Sequence, residues 1–129
     1  MSRSFWRLAV RSDFSSAHAL RHYQGKCESP HGHNFQVEVM VEGDTLTPDT
    51  ELLLDFSDIK RDLKSVLDTL DHKDLNTTPP FDKINPSSEN LARHIYRELA
   101  PLTARHGVHL YSVTVSEKAA QSATYYEMA

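Results

Sequence analysis

Three histidines stand close enough in this sequence to share one metal ion. His31-Gly32-His33 sets two imidazoles at i and i+2, which on an extended chain point to the same side. Gly32 between them is expected to remove steric bulk. His18, in Ser15-Ser16-Ala17-His18, follows a strand-like segment. If that segment pairs with the strand opening at Asn34, the end of one lies beside the start of the other, and His18 reaches the pair. Three neutral imidazoles suit zinc with an open fourth position. They add no negative charge, so the ion keeps its Lewis acidity. His-x-His alone also occurs in ordinary polar loops; the third histidine and a nearby thiol weigh the other way.

That thiol is Cys27, four residues before His31, flanked by Lys26 and Glu28. Beside a dication a thiol shifts toward thiolate and can act as a base near neutral pH. Alternatively it is a small buried hydrophobe, or a fourth ligand that closes the site. Asp71-His72 pairs a carboxylate with an imidazole, as a proton relay would, although a histidine after a helix is also favoured by the helix dipole. Glu117 is either an ordinary polar strand end or a carboxylate able to grip the guanidine-like edge of a heterocycle through paired hydrogen bonds.

These side chains need elements to hold them. Residues 5–13 alternate as a strand, and a loop rich in His, Gly and Pro is expected over 15–30. Residues 34–42 give the clearest strand, with Phe35, Val37, Val39 and Val41 on one face. A helix starts at Phe56 or Ser57, capped by Asp55 or Ser57, with Ile59, Leu63, Val66, Leu67 and Leu70 as its apolar stripe. Residues 75–85 read as loop. Pro86-Ser87-Ser88-Glu89 opens a second helix with Leu91, Ile95, Leu99 and Leu102 inward, and Pro101 is expected to weaken or end its last turn. Strands at 110–117 and 123–127 complete a ββααββ order. Strands separated by two consecutive helices argue for an α+β fold with an antiparallel sheet. Its open edges call for a partner, so subunits are expected to join edge to edge.

Length and composition set the bounds. The 129 residues fit one domain spanning 1–129. A net charge of −4 argues against a nucleic-acid partner, which needs a basic face. No apolar run approaches the ~20 residues that cross a bilayer, and the first residues lack the pattern of a secretory leader. No membrane association is expected, and a cytoplasmic location is the default. A single cysteine excludes an internal disulfide framework.

Together these segments resemble one family. Cys27-x-x-x-His31-Gly32-His33, the upstream Phe14-Ser15-Ser16-Ala17-His18, Leu70-Asp71-His72 and Val115-Ser116-Glu117 are similar to motifs of the 6-pyruvoyl- and 6-carboxy-tetrahydropterin synthases, in the family's order. Pro86-Ser87-Ser88-Glu89-Asn90 resembles the helix start bordering the family's pterin pocket. The resemblance covers about residues 5–126. It implies the tunnelling fold (T-fold), in which subunits join into a barrel, as trimers or hexamers with active sites between subunits. It implies Zn2+ on His18, His31 and His33, with Cys27 as the proton-abstracting residue. Asp71 and His72 would form its relay, from a neighbouring subunit, and Glu117, with Ser88 and Glu89, would bind substrate. The implied substrate is 7,8-dihydroneopterin triphosphate. The 6-carboxy branch releases acetaldehyde and leads to queuosine; the 6-pyruvoyl branch keeps the side chain. Glu28 departs from the plainest pattern, because family members that form 6-hydroxymethyl-dihydropterin use a glutamate base in a similar Glu-x-x-His-Gly-His motif. A non-catalytic zinc-binding oligomer is the reading of another class. Arg21, Lys26 and Lys118 are candidate cations for the triphosphate.

Overall fold

A computed structural model describes residues 2–25 and 29–128. Strands β1 (Trp6–His18) and β2 (His31–Gly43) come first, followed by helices α1 (Phe56–Leu67) and α2 (Ser88–Ala104), then strands β3 (His109–Lys118) and β4 (Gln121–Tyr125). A single 3-10 turn, Leu75–Thr77, lies between the helices. The strands form one antiparallel sheet in the order β1-β2-β3-β4. The expected ββααββ α+β fold is therefore the one found. No helix among the described residues is long and apolar enough to cross a membrane.

Alternation decides which face of the sheet is buried. Val10 and Phe14 of β1, Phe35, Val37, Val39 and Val41 of β2, and Val113 and Val115 of β3 point at the helices. The expected stripes of α1 and α2 meet them: Ile59, Leu63, Val66, Leu67, Leu91, Ile95 and Leu99 are all buried. Asp55 caps α1 by accepting from the Ser57 N–H at 2.9 Å, and Ser87 caps α2 by accepting from the Asn90 N–H at 3.1 Å. Tyr96 of α2 donates its buried hydroxyl to the Leu110 carbonyl of β3 at 3.0 Å, tying helix to sheet. Gly107, at φ +75°, supplies the left-handed residue at the turn from α2 into β3.

Several boundaries differ from the sequence expectation. The first strand runs on to His18 and the second starts at His31, so the ladder continues to a His18↔His31 pair and the connection shrinks to residues 19–30. Small polar residues look like loop in a sequence. Here Ser16 and His18 continue the inward alternation of Phe14, and the ladder holds them extended. Helix α2 runs three residues past Pro101 to Ala104 instead of ending there. Proline removes only its own N–H, and Leu99 and Thr103 on either side are buried and hold the turn in place. The last strand is shifted to Gln121–Tyr125.

Phe35 joins the core to the imidazoles. It is fully buried, stacks on Phe14 at 4.8 Å between ring centroids, and meets the His18 ring edge-on at 5.1 Å. Phe35→Ala is expected to remove ~3–5 kcal/mol of stability from the metal-free protein, read as a lower urea midpoint at unchanged slope. A midpoint equal to that of the wild type would show that this contact is not part of the core.

Candidate metal centre and its surroundings

Along β2 the inward series Val41, Val39, Val37, Phe35 continues with His33 and His31. The apolar stripe becomes an imidazole stripe at the end of the ladder, and the His18↔His31 pair puts the third ring opposite. The three rings stand at steep angles to one another. Centroids lie 4.6 Å apart for His18–His31, 4.5 Å for His31–His33 and 5.4 Å for His18–His33, with interplanar angles of 65°, 90° and 80°. The expected trio is thus brought together. Gly32 points away from it, and a Cβ there would meet nothing within 4 Å among the described residues, so steric relief within them does not explain this glycine.

Hydrogen bonds fix which nitrogen faces inward in two of the rings. His18 Nδ1 lies 2.8 Å from the Pro86 carbonyl, and His31 Nδ1 lies 2.7 Å from the Ser29 carbonyl. A carbonyl only accepts, so each Nδ1 carries the proton and each Nε2 keeps its lone pair. His18 Nε2 is buried and has no hydrogen-bond partner among the described residues. Burial pushes the His18 imidazole below its ordinary pKa; the Pro86 carbonyl and Glu117 pull the other way, while His31 and His33 add to the downward push. The balance favours the neutral form that a ligand must have.

Glu117 occupies a place that sequence reasoning assigned to none of these donors. Its carboxylate lies 3.4 Å from His18 Nε2 and 3.3 Å from His33 Nε2, and one ligand atom from each of the four residues lies within 4.8 Å of the others. Donors on a tetrahedral ion with bonds of about 2.0–2.1 Å stand about 3.3 Å apart. An orphaned buried lone pair next to a carboxylate is a donor set that fits a divalent cation. The clue was the register: Gln36 pairs with Ser116, so the next residue along, Glu117, falls on the inner face beside Phe35.

The other expected site residues divide into two groups. Ser88 and Glu89, in the first turn of α2, line a cavity of about 320 Å³ with Glu117, Leu20, Gln121 and Ser122. Glu117 therefore faces both the metal donors and this cavity. Asp71 and His72 are not among the metal donors. They cap the outer edge of β1, where Asp71 Oδ1 accepts from the Ser15 N–H at 2.8 Å and His72 donates its N–H to the Ser15 carbonyl at 2.6 Å. Asp71 Oδ2 lies 2.8 Å from His72 Nδ1. The Ser15 N–H holds the Asp71 carboxyl below its usual pKa, with His72 acting the same way. His72 sits at φ +55° with a side chain 82% exposed. Cys27, Glu28 and Lys26 lie outside the described residues. Arg21, a candidate phosphate cation, donates its guanidinium to the carbonyls of Asn76, Phe81 and Ile84. Lys118 is exposed beside Glu117. His106 pairs with Asp62 at 2.9 Å and His94 packs on Phe81, both remote in the fold from the imidazole stripe.

The comparisons with known proteins agree with this geometry. A profile of the family described as 6-pyruvoyl tetrahydropterin synthase matches residues 7–128. The 6-carboxy-5,6,7,8-tetrahydropterin synthase of Synechocystis sp. is 34% identical over 126 residues, covering 94% of this chain and 93% of that protein. The 6-pyruvoyl tetrahydrobiopterin synthase of Dictyostelium discoideum is 35% identical over 106 residues, covering 73% and 78%. Among solved structures, the Caenorhabditis elegans 6-pyruvoyl tetrahydropterin synthase superposes with a TM-score of 0.86 at 27% identity, covering 99% of both chains. The chain shares the T-fold of these proteins and belongs to the 6-pyruvoyl tetrahydropterin synthase family of pterin synthases.

Proposed function

We propose that the chain is a zinc-dependent lyase that converts 7,8-dihydroneopterin triphosphate to 6-carboxy-5,6,7,8-tetrahydropterin, releasing acetaldehyde and triphosphate. The observation that carries this reading is the convergence of His18, His31 and His33 beside a substrate-sized cavity. The three imidazoles would hold Zn2+, which when bound supplies a Lewis acid for a side-chain hydroxyl oxygen. Glu117 faces the same cavity and would accept hydrogen bonds from the amino-pyrimidine edge of the pterin, with Ser88 and Glu89 lining the wall. Cys27 would take the side-chain proton, and the Asp71–His72 pair would relay it. In this reading Glu117 serves the pterin and three imidazoles hold the ion, which leaves the fourth position open as in a catalytic rather than a purely structural zinc site.

The relatives bear both the 6-carboxy and the 6-pyruvoyl name, so retention of the three-carbon side chain is the second reading. Product analysis decides. Zinc-loaded protein given dihydroneopterin triphosphate is expected to yield a 6-carboxy pterin and acetaldehyde. A retained three-carbon side chain would favour the 6-pyruvoyl activity, a hydroxymethyl pterin the folate-type activity through Glu28, and no turnover the binding module.

The two bases separate by substitution. Cys27→Ala is expected to keep zinc and lose turnover, and loss of the metal would mark the thiol as a ligand. Glu28→Ala is expected to spare the main reaction; if it abolishes that reaction, the carboxylate rather than the thiol is the principal base.

A shared active site accounts for the position of the relay. The pair is bound to the backbone edge of β1 at Ser15, three residues along the strand from His18, and does not join the metal donors of its own chain. It stands instead where the free edge of β1 ends, beside a groove of about 400 Å³ that includes Arg11, Asp13, Lys60, Lys64 and Asp71. A second copy pairing with that edge would bring its own zinc ligands to His72. Mixing inactive Cys27→Ala and His72→Ala chains after joint unfolding and refolding is then expected to restore activity. Mixtures as inactive as either parent would assign the relay to the same subunit.

A further inference from the structure

The segment leaving β1 is laced to the connection between the helices by an arrangement that the proposed chemistry does not use. Asn76 Oδ1 accepts from the Ala19 N–H at 2.8 Å, while its Nδ2 donates to the Ala19 carbonyl at 2.9 Å. Asn85 repeats the pattern two residues on: Oδ1 accepts from the Arg21 N–H at 2.9 Å and Nδ2 donates to the Arg21 carbonyl at 3.0 Å. Each side-chain amide thus imitates one residue of a neighbouring strand, satisfying a backbone N–H and C=O together. The Arg21 guanidinium closes the frame, reaching the carbonyls of Phe81 at 2.7 Å and of Asn76 and Ile84 at 3.1 Å. Asn90 of α2 holds the Asn85 carbonyl at 2.9 Å.

Both ends of this frame meet at His18. The laced segment begins at the residue after it, and the residue after Asn85 is Pro86, whose carbonyl accepts from His18 Nδ1. The Pro86 carbonyl sets the tautomer of the ring and aims its Nε2. Pro86 has no N–H, so its position comes from its neighbours. Asn85, fixed on one side by Arg21 and on the other by Asn90, is the adjoining anchor.

We propose that Asn85, Asn76 and Arg21 are positioning residues of the metal centre, holding the Pro86 carbonyl and His18 in the relative geometry that metal binding needs. The inference rests on the reading of the three histidines as zinc ligands. It gives Arg21 a task other than binding phosphate, because both terminal nitrogens of its guanidinium are already donating to carbonyls.

The test is zinc affinity, measured by competition with a chromophoric chelator, and the d–d spectrum of the Co2+-loaded full-length chain. Asn85→Ala is expected to weaken zinc binding by about 10–100-fold, the usual effect of removing an outer hydrogen bond from a metal ligand, and to alter the cobalt spectrum. Asn85→Asp keeps the acceptor for the Arg21 N–H and loses the donor, so partial recovery is expected. It also serves if the alanine variant folds poorly, as does Arg21→Lys. A merely structural role would lower the melting temperature of the metal-free protein and leave affinity and spectrum, read well below that temperature, unchanged; that result overturns the proposal. Wild-type protein that binds no zinc would instead overturn the metal reading itself, which His33→Ala controls by losing the ion.

Discussion

Everything at this site depends on keeping three imidazoles neutral with their lone pairs aimed at one point. A histidine in water presents either nitrogen and is protonated near neutrality. Here burial disfavours the charge on His18, and backbone carbonyls claim the Nδ1 protons of His18 and His31. The lone pairs of those two rings are then left on Nε2, and that of His18 meets no hydrogen-bond donor among the described residues. Without a cation such an arrangement is costly, since a buried acceptor beside a carboxylate has nothing to neutralise it. The fold bears that cost where the ladder is continuous and Phe14 and Phe35 stack beneath the rings. Donors carried on paired strands are held more rigidly than donors on loops, as a metal site requires.

Much of this could be read from the residues alone, for identifiable reasons. The parity that puts Phe35, Val37, Val39 and Val41 on one face also puts His31 and His33 there, so the spacing of two ligands was legible. The helical stripes and both helix caps follow local rules of period and hydrogen bonding, and they were legible too. Strand ends were not. Ser15, Ser16 and Ala17 have weak strand preference, and pairing with residues 32–34 on one side and 71–74 on the other keeps them extended. The metal-facing position of Glu117 was also hidden, because it depends on the register between β2 and β3, set by distant valines and by the bulge after Met40. Asn76, Asn85 and Arg21 gave no signal either. Side chains that imitate backbone become visible only once the two segments they join are adjacent.

The imidazole cluster and the Asp71–His72 pair occupy different parts of the sheet, the inner face at the end of the β1–β2 ladder and the outer edge of β1. The sheet's inner face is closed by the helices, and the cavity by Ser88 and Glu89 opens at the end of β3 and the start of β4, through Glu117, Gln121 and Ser122. The outer edge of β1 is covered at Ser15–Ala17 by residues 71–74, through the Asp71 carboxylate, the His72 and Lys73 backbone and an isolated bridge from Ala17 to Asp74. From Trp6 to Phe14 no strand among the described residues pairs with that edge. A strand of this length with bare N–H and C=O groups is a template for pairing. Arg7 and Arg11 are engaged with Glu42 and Glu38 across β2, so the charges on this strand are matched within the chain.

The second edge belongs to β4, a short strand that leaves Tyr126 and Met128 exposed beyond its end. Two different free edges on one chain favour a head-to-tail contact, and such contacts close into rings when the rotation allows. In such a ring every β1 edge would meet a β4 edge, and β4 also carries Gln121 and Ser122 of the Glu117 cavity. His72 is held at φ +55° by a backbone hydrogen bond while its side chain stays exposed, a conformation few non-glycine residues adopt without a local cause. The imidazole is thus held by its own backbone and by Asp71 at Nδ1, while the rest of the ring faces outward. Bare backbone along two strand edges, with an exposed imidazole anchored beside one of them, is the surface that an edge-to-edge assembly would cover.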